Sequence, residues 1–185
     1  MRPILFALLL APITAFAEGC PPAPDHDSDL LALIAKAQSA PTENDGRAVS
    51  QQMWAIWVDA PDEVSQALLD RGMSKLRGSD FVGALQDLDR LVAYCPDYAE
   101  GYNQRAFVNY LTRNFVPALR DLDRAIARSP NHVAALSGRA LTLLALGRTD
   151  DARDALATAL ALNPWLSERK LADAGGPLAP KGEDI

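Results

Sequence analysis

Four sets of residues recur along this chain at one interval. Ala84, Ala118 and Ala152 are 34 residues apart, and so are Leu88, Leu122 and Leu156; Pro96, Pro130 and Pro164; and Arg71, Arg105 and Arg139. Phe81-Val-Gly-Ala-Leu-Gln-Asp-Leu-Asp-Arg and Phe115-Val-Pro-Ala-Leu-Arg-Asp-Leu-Asp-Arg agree at eight of ten positions. Duplication of a unit explains this, and a fixed period in that range is the mark of a stacked repeat array.

Each unit reads as two helices. Ala99 to Thr112 runs into the polar turn Arg113-Asn114, and Phe115 to Arg128 ends at Ser129-Pro130, where proline stops a helix. Gly72, Ala106 and Ala140 in the first helices and Ala84, Ala118 and Ala152 in the second allow close approach, with Leu88, Leu122 and Leu156 filling the space beside them. Neither helix can hide its apolar stripe alone, so neighbouring units must stack to bury a shared core. The expected units are 65–98, 99–132 and 133–166.

This pattern resembles the tetratricopeptide repeat (TPR) family, in an exported bacterial type. The residues that carry the likeness are Leu68, Gly72, Ala84, Leu88 and Pro96; then Tyr102, Ala106, Ala118, Leu122 and Pro130; then Leu136, Ala140, Leu143, Ala152, Leu156 and Pro164. The resemblance implies an all-α fold, a right-handed superhelical array of helix-turn-helix units with helical caps at both ends. It also implies a concave surface lined by the first helices, where proteins or peptides dock. Periodicity places Leu69, Met73 and Leu76, then Asn103, Phe107 and Tyr110, then Ser137, Leu141 and Leu144 on or near that surface. An apolar face with an aromatic centre suits an amphipathic helix or apolar peptide. Family members that clamp a C-terminal carboxylate use Lys and Asn, whereas this chain offers Leu69 and Met73; Arg77 and Arg113 are expected to cap helix ends or stay solvated. Arg71, Arg105 and Arg139 depart from the family's usual Leu. Asp87 and Asp121 are their expected partners in the first two units, with Ala155 in the third, and the alternative is that the guanidiniums reach water over apolar stems.

The flanks read differently. Met1-Arg2, the apolar run Ile4 to Ile13 and Ala15-Phe16-Ala17 form a secretory leader over 1–17, which places the mature chain in the periplasm or outside the cell. Lipid anchoring through Cys20 is the alternative, against which Glu18 stands where a lipobox needs a small residue. In an oxidising compartment Cys20 and Cys95 either form a disulfide, which would stabilise the fold by about 4 kcal/mol in the chain-entropy picture, or remain two thiols. Residues 18–27 read as a linker. Residues 28–64 read as a helical hairpin in front of the first unit, with Asp27-Ser28 capping a helix over Asp29 to Ser39 and Thr42 capping a second to about Asp59. Trp54 and Trp57 belong to the core or rim of that cap. Residues 167–185 read as a short capping helix, within Trp165 to Asp173, and a disordered tail.

Catalysis lacks an inventory. Two histidines and two cysteines are few, and no Gly-rich phosphate loop, His-Glu-x-x-His or Cys-x-x-Cys occurs. His132 reads as a helix-start residue and Ser137 has no matching base. The run Asp25-His26-Asp27-Ser28-Asp29 reads as a solvated linker rather than a metal site. A net charge of −6 disfavours nucleic acid and anionic membrane as partners. No stretch after the leader is long enough to span a bilayer. The expected function is a non-catalytic periplasmic adaptor or assembly factor without cofactors. Structural self-association as a homodimer is the alternative, and a carboxylate-based hydrolase ranks last.

Overall fold

The computed structural model describes residues 19–180; the leader expected over 1–17 and the last five residues lie outside them. Every regular element among the described residues is helical: α1 (Asp27–Ser39), α2 (Glu43–Trp57), α3 (Glu63–Arg77), α4 (Phe81–Tyr94), α5 (Ala99–Leu111), α6 (Phe115–Arg128), α7 (Val133–Ala145), α8 (Thr149–Leu162) and a 3₁₀ turn, Ser167–Ala172. No helix among them is long and apolar enough to cross a membrane.

Three hairpins, α3–α4, α5–α6 and α7–α8, make the expected array, and α4 packs on α5 as α6 packs on α7. The small positions do what their size dictates: Ala84, Ala106, Ala118, Ala140 and Ala152 are fully buried, and Leu88, Leu122 and Leu156 nearly so. A β-carbon on Gly72 would sit 2.9 Å from Leu88, so α3 approaches α4 too closely for any side chain there. The turn inside each unit also repeats. Ser79, Arg113 and Gly147 take positive φ (61°, 61° and 74°), and the following amides of Asp80, Asn114 and Arg148 bond back to the carbonyls of Lys75, Asn109 and Leu143. This is a Schellman ending, which satisfies helix carbonyls that otherwise lack donors.

The N-terminal hairpin is not where sequence placed it. Instead of stacking in front of α3, α1 packs against α8 at the far end of the array. Leu30, Leu33, Ile34, Ala37, Val49 and Met53 form one core with Val133 of α7, joined by Leu162 and Leu166. Four polar contacts fasten the two ends: Gln38 Nε2 donates to the Ala161 carbonyl (2.8 Å), Asn163 Nδ2 to Ser50 Oγ (2.9 Å), Trp165 Nε1 to the Ala37 carbonyl (3.1 Å), and Arg169 pairs with Glu43 (2.7 Å). The Arg169 guanidinium holds the Glu43 carboxyl below its ordinary range. α1 starts at Asp27, two residues early, because the Asp25 carboxylate takes the Asp27 amide (3.1 Å) in place of an Asp27-Ser28 cap. Thr42 caps α2 through the Asp45 amide (3.2 Å), as expected. His26 bonds Asp59 (2.8 Å), which ties this segment to the chain leaving α2 instead of leaving it solvated.

At the other end, the expected capping α-helix is a 3₁₀ turn, and the tail is ordered through 180. Leu178 is fully buried in the core of the third unit with Ala140, Leu143 and Leu156, and Arg153 Nε donates to the Ala179 carbonyl (3.0 Å). Burial of this large apolar side chain and the backbone bond from the Leu178 amide to the Leu171 carbonyl (2.8 Å) together hold this stretch against the third unit. Cys20 and Cys95 are joined by a disulfide, with their α-carbons 5.1 Å apart.

Candidate functional site

The first helices α3, α5 and α7 line up on one face, and the N-terminal hairpin crosses the start of it. Met53 is fully buried, and Trp57 stacks on the His132 ring, with centroids 4.3 Å apart. The Tyr98 hydroxyl donates to the Trp57 carbonyl (2.6 Å), and burial pushes its phenol up, away from ionisation. The chain between α2 and α3 brings Val58 and Ala60 against Leu69. The N-terminal halves of these helices are therefore covered by the protein itself.

Beyond that cover lies a cavity of about 360 Å³. Trp54 of α2 forms one wall, facing Met73, Leu76 and Arg77 of α3, Phe107 and Tyr110 of α5, and Leu141 of α7; Ala106, Leu122, Ala134 and Gly138 complete the apolar lining. Phe107 and Trp54 keep 48% and 40% exposure, so the mouth is open and aromatic. Polar lining is sparse and mostly spent. Asn103 Nδ2 (3.0 Å) and Gln104 Nε2 donate to the buried Glu100 carboxylate, and the Thr142 hydroxyl donates to the Gly138 carbonyl (2.8 Å).

Of the residues assigned by periodicity, Met73, Leu76, Asn103, Phe107, Tyr110 and Leu141 meet in this cavity. Leu69 does not: it is fully buried among Ala60, Leu68 and Tyr98. Ser137 is buried outside the lining, and Leu144 packs on the third unit's core. For Leu69 the difference follows from the chain leaving the N-terminal hairpin, which turns the early part of the expected surface into interior; Leu144 is drawn into the core that the C-terminal segment closes. Trp54, Gln104 and Arg77 line the cavity without having been assigned to it. Trp54 left no periodic signal because it comes from outside the repeats, whereas Arg77, one residue after Leu76, could have been found by continuing the same helix face.

Charge is handled away from the cavity. Arg105 grips Asp121 with two bonds of 2.7 Å and also reaches Asp89 (2.9 Å); Asp121 raises the guanidinium's proton affinity further. Arg71 stands 3.5 Å from Asp87, whose nearer partner is Lys75 at 2.7 Å. Arg139, expected to lack a partner, pairs with Asp123 (2.8 Å), the repeat equivalent of Asp89. His132 and Glu100, each 1% exposed, form a buried pair at 2.8 Å. Because His132 Nδ1 accepts from the Ala135 amide, Nε2 carries the hydrogen directed at Glu100. That arrangement caps α7. Among the described residues no group of three or more His, Cys, Asp or Glu side chains is placed to hold a metal ion.

Residues 113–165 match the model of the tetratricopeptide repeat. No curated protein matches the sequence. Among solved structures the chain is similar to the TPR2B domain of yeast Sti1 in a complex with pHsp70 (23% identity, TM-score 0.56, 60% of this chain and 92% of that one). It is similar also to the first TPR of Spaghetti (RPAP3) bound to an HSP90 peptide (20%, 0.56, 57% and 84%). The MamA protein matches over more of the chain (20%, 0.51, 83% and 79%). Residues 113–165 therefore carry the signature of a tetratricopeptide repeat, and the three in-register helical hairpins share the fold of these solved tetratricopeptide repeat domains.

Proposed function

We propose that this protein is a non-catalytic adaptor or assembly factor of the cell envelope that holds a protein segment against the face formed by α3, α5 and α7. The observation that carries the reading is the open apolar cavity, with Phe107 and Trp54 exposed at its mouth although the rest of the face is covered. Large apolar side chains left in water at a concave site are a mark of docking. One of the similar solved structures is bound to an HSP90 peptide and another is a complex with pHsp70, which supports a protein segment as the class of partner. Location in the periplasm is supported by the leader at 1–17 and by the Cys20–Cys95 disulfide, a bond suited to an oxidising compartment.

A photo-crosslinking residue at Phe107, used in the native envelope, tests this. One recurrent adduct is expected, lost when Leu141→Asp is added while helicity is retained. Labelling that is absent, or unchanged by Leu141→Asp, would overturn the reading. Self-association is the second reading, favoured by Val82 and Val116, repeat equivalents that are 70% and 59% exposed; a monomeric mass in solution at tens of micromolar would remove it.

A further inference from the structure

We propose that the cavity beside Trp54 is a binding site for a free medium-chain carboxylate, an apolar chain ending in a single anionic head. This goes beyond the adaptor reading and does not depend on it. Three observations carry it. First, the space is a concave pocket with an open mouth. α2 covers the early part of the face and Trp54 closes one side, leaving about 360 Å³, at the small end of the roughly 300–1,000 Å³ of ligand cavities. Second, the walls offer almost nothing for a polar ligand to bond. Asn103 and Gln104 each direct one amide N–H to Glu100, and the Thr142 hydroxyl donates to the Gly138 carbonyl. Third, two donor-bearing residues of the lining suit one small anion. The Arg77 guanidinium and the Tyr110 hydroxyl both line the cavity, and neither has a hydrogen-bond or ion-pair partner among the described residues. The repeat arginines Arg71, Arg105 and Arg139 are each matched to an aspartate, whereas Arg77 reaches the cavity rim without one.

The apolar chain lies among Met73, Leu76, Phe107 and Leu141. Its head sits at the mouth, where Arg77 is exposed and a carboxylate keeps part of its hydration. A positively charged head would be repelled there, and an uncharged one would gain only the walls.

Calorimetric titration of the mature chain with octanoate, decanoate and dodecanoate, all below their micelle concentrations, tests the site. Affinity should rise about fourfold for each added CH₂ until the pocket is full. Dodecanol should bind more weakly than dodecanoate, and dodecylamine more weakly still. Arg77→Gln should lower dodecanoate affinity several-fold and leave dodecanol unchanged. Leu141→Trp, checked for native helicity, should abolish binding of both. The proposal is overturned if no member of the series binds up to millimolar concentration, if Arg77→Gln weakens acid and alcohol equally, or if binding appears only with anionic phospholipid vesicles. The crosslinking experiment at Phe107 uses no carboxylate, so either reading can fail while the other stands.

Discussion

Arg105 shows what a charged residue at an inward position of a repeat demands. It holds Asp121 with two short bonds and is only 16% exposed, with Asp121 at 4%, so both bonds are partly shielded from water. A double-mutant cycle with Arg105→Met and Asp121→Asn should give a coupling of about 1–2 kcal/mol; additive effects would mean the pair is ornamental. Asp87 makes a pH prediction. Lys75, ion-paired with it at 2.7 Å, is the main cause holding its carboxyl below the ordinary 3.8. A carboxyl depressed in the folded state contributes stability that is present above its unfolded value and lost as the pH falls through its folded one. Urea midpoints should therefore fall more steeply with acidification below about pH 4 in the parent than in Asp87→Asn. Parallel curves would show that Asp87 is not titrating with unfolding.

At the scale of the helix the repeat is legible because its period comes from local chemistry: small residues where helices touch, leucine beside them, proline after them. The turn was legible only as polar. Ser79 and Arg113 adopt the left-handed conformation that Gly147 adopts in the third unit, and a non-glycine residue pays roughly 1 kcal/mol or more for it. Arg113→Gly should therefore raise the melting temperature by about 2–4 °C, corresponding to a gain near 1 kcal/mol for a chain of this size. An unchanged or lower value would mean that the Arg113 side chain contributes contacts worth as much as the strain. Three residues expected on the surface, Leu69, Ser137 and Leu144, are taken up by packing instead, a difference with another origin. Their helical faces were read correctly as inward, but whether an inward face meets water or other parts of the chain depends on the N-terminal hairpin and the C-terminal segment, whose positions no local pattern encodes.

For the molecule as a whole, that hairpin is decisive, and its contacts span the longest separations in the chain. Gln38 meets Ala161 and Ala37 meets Trp165, pairs that neither a period of 34 residues nor capping chemistry can announce. Gly46 marks the contact: a β-carbon built there would lie 2.2 Å from the Trp165 side chain. Gly46→Ala should dislodge Trp165 at a cost of about 1–3 kcal/mol and speed amide exchange in α1 and α8 together. Faster exchange in α1 alone would show that the two ends are not coupled. The cavity depends on the same arrangement, since Trp54 reaches it only because α2 lies across the array. Ordinary solenoids lengthen by duplicating units at an open end. Here the flank of α8 on which a further hairpin would stack already carries α1 and the 3₁₀ turn, so the fold has traded the freedom to grow for a fixed length of three units and a site of defined size.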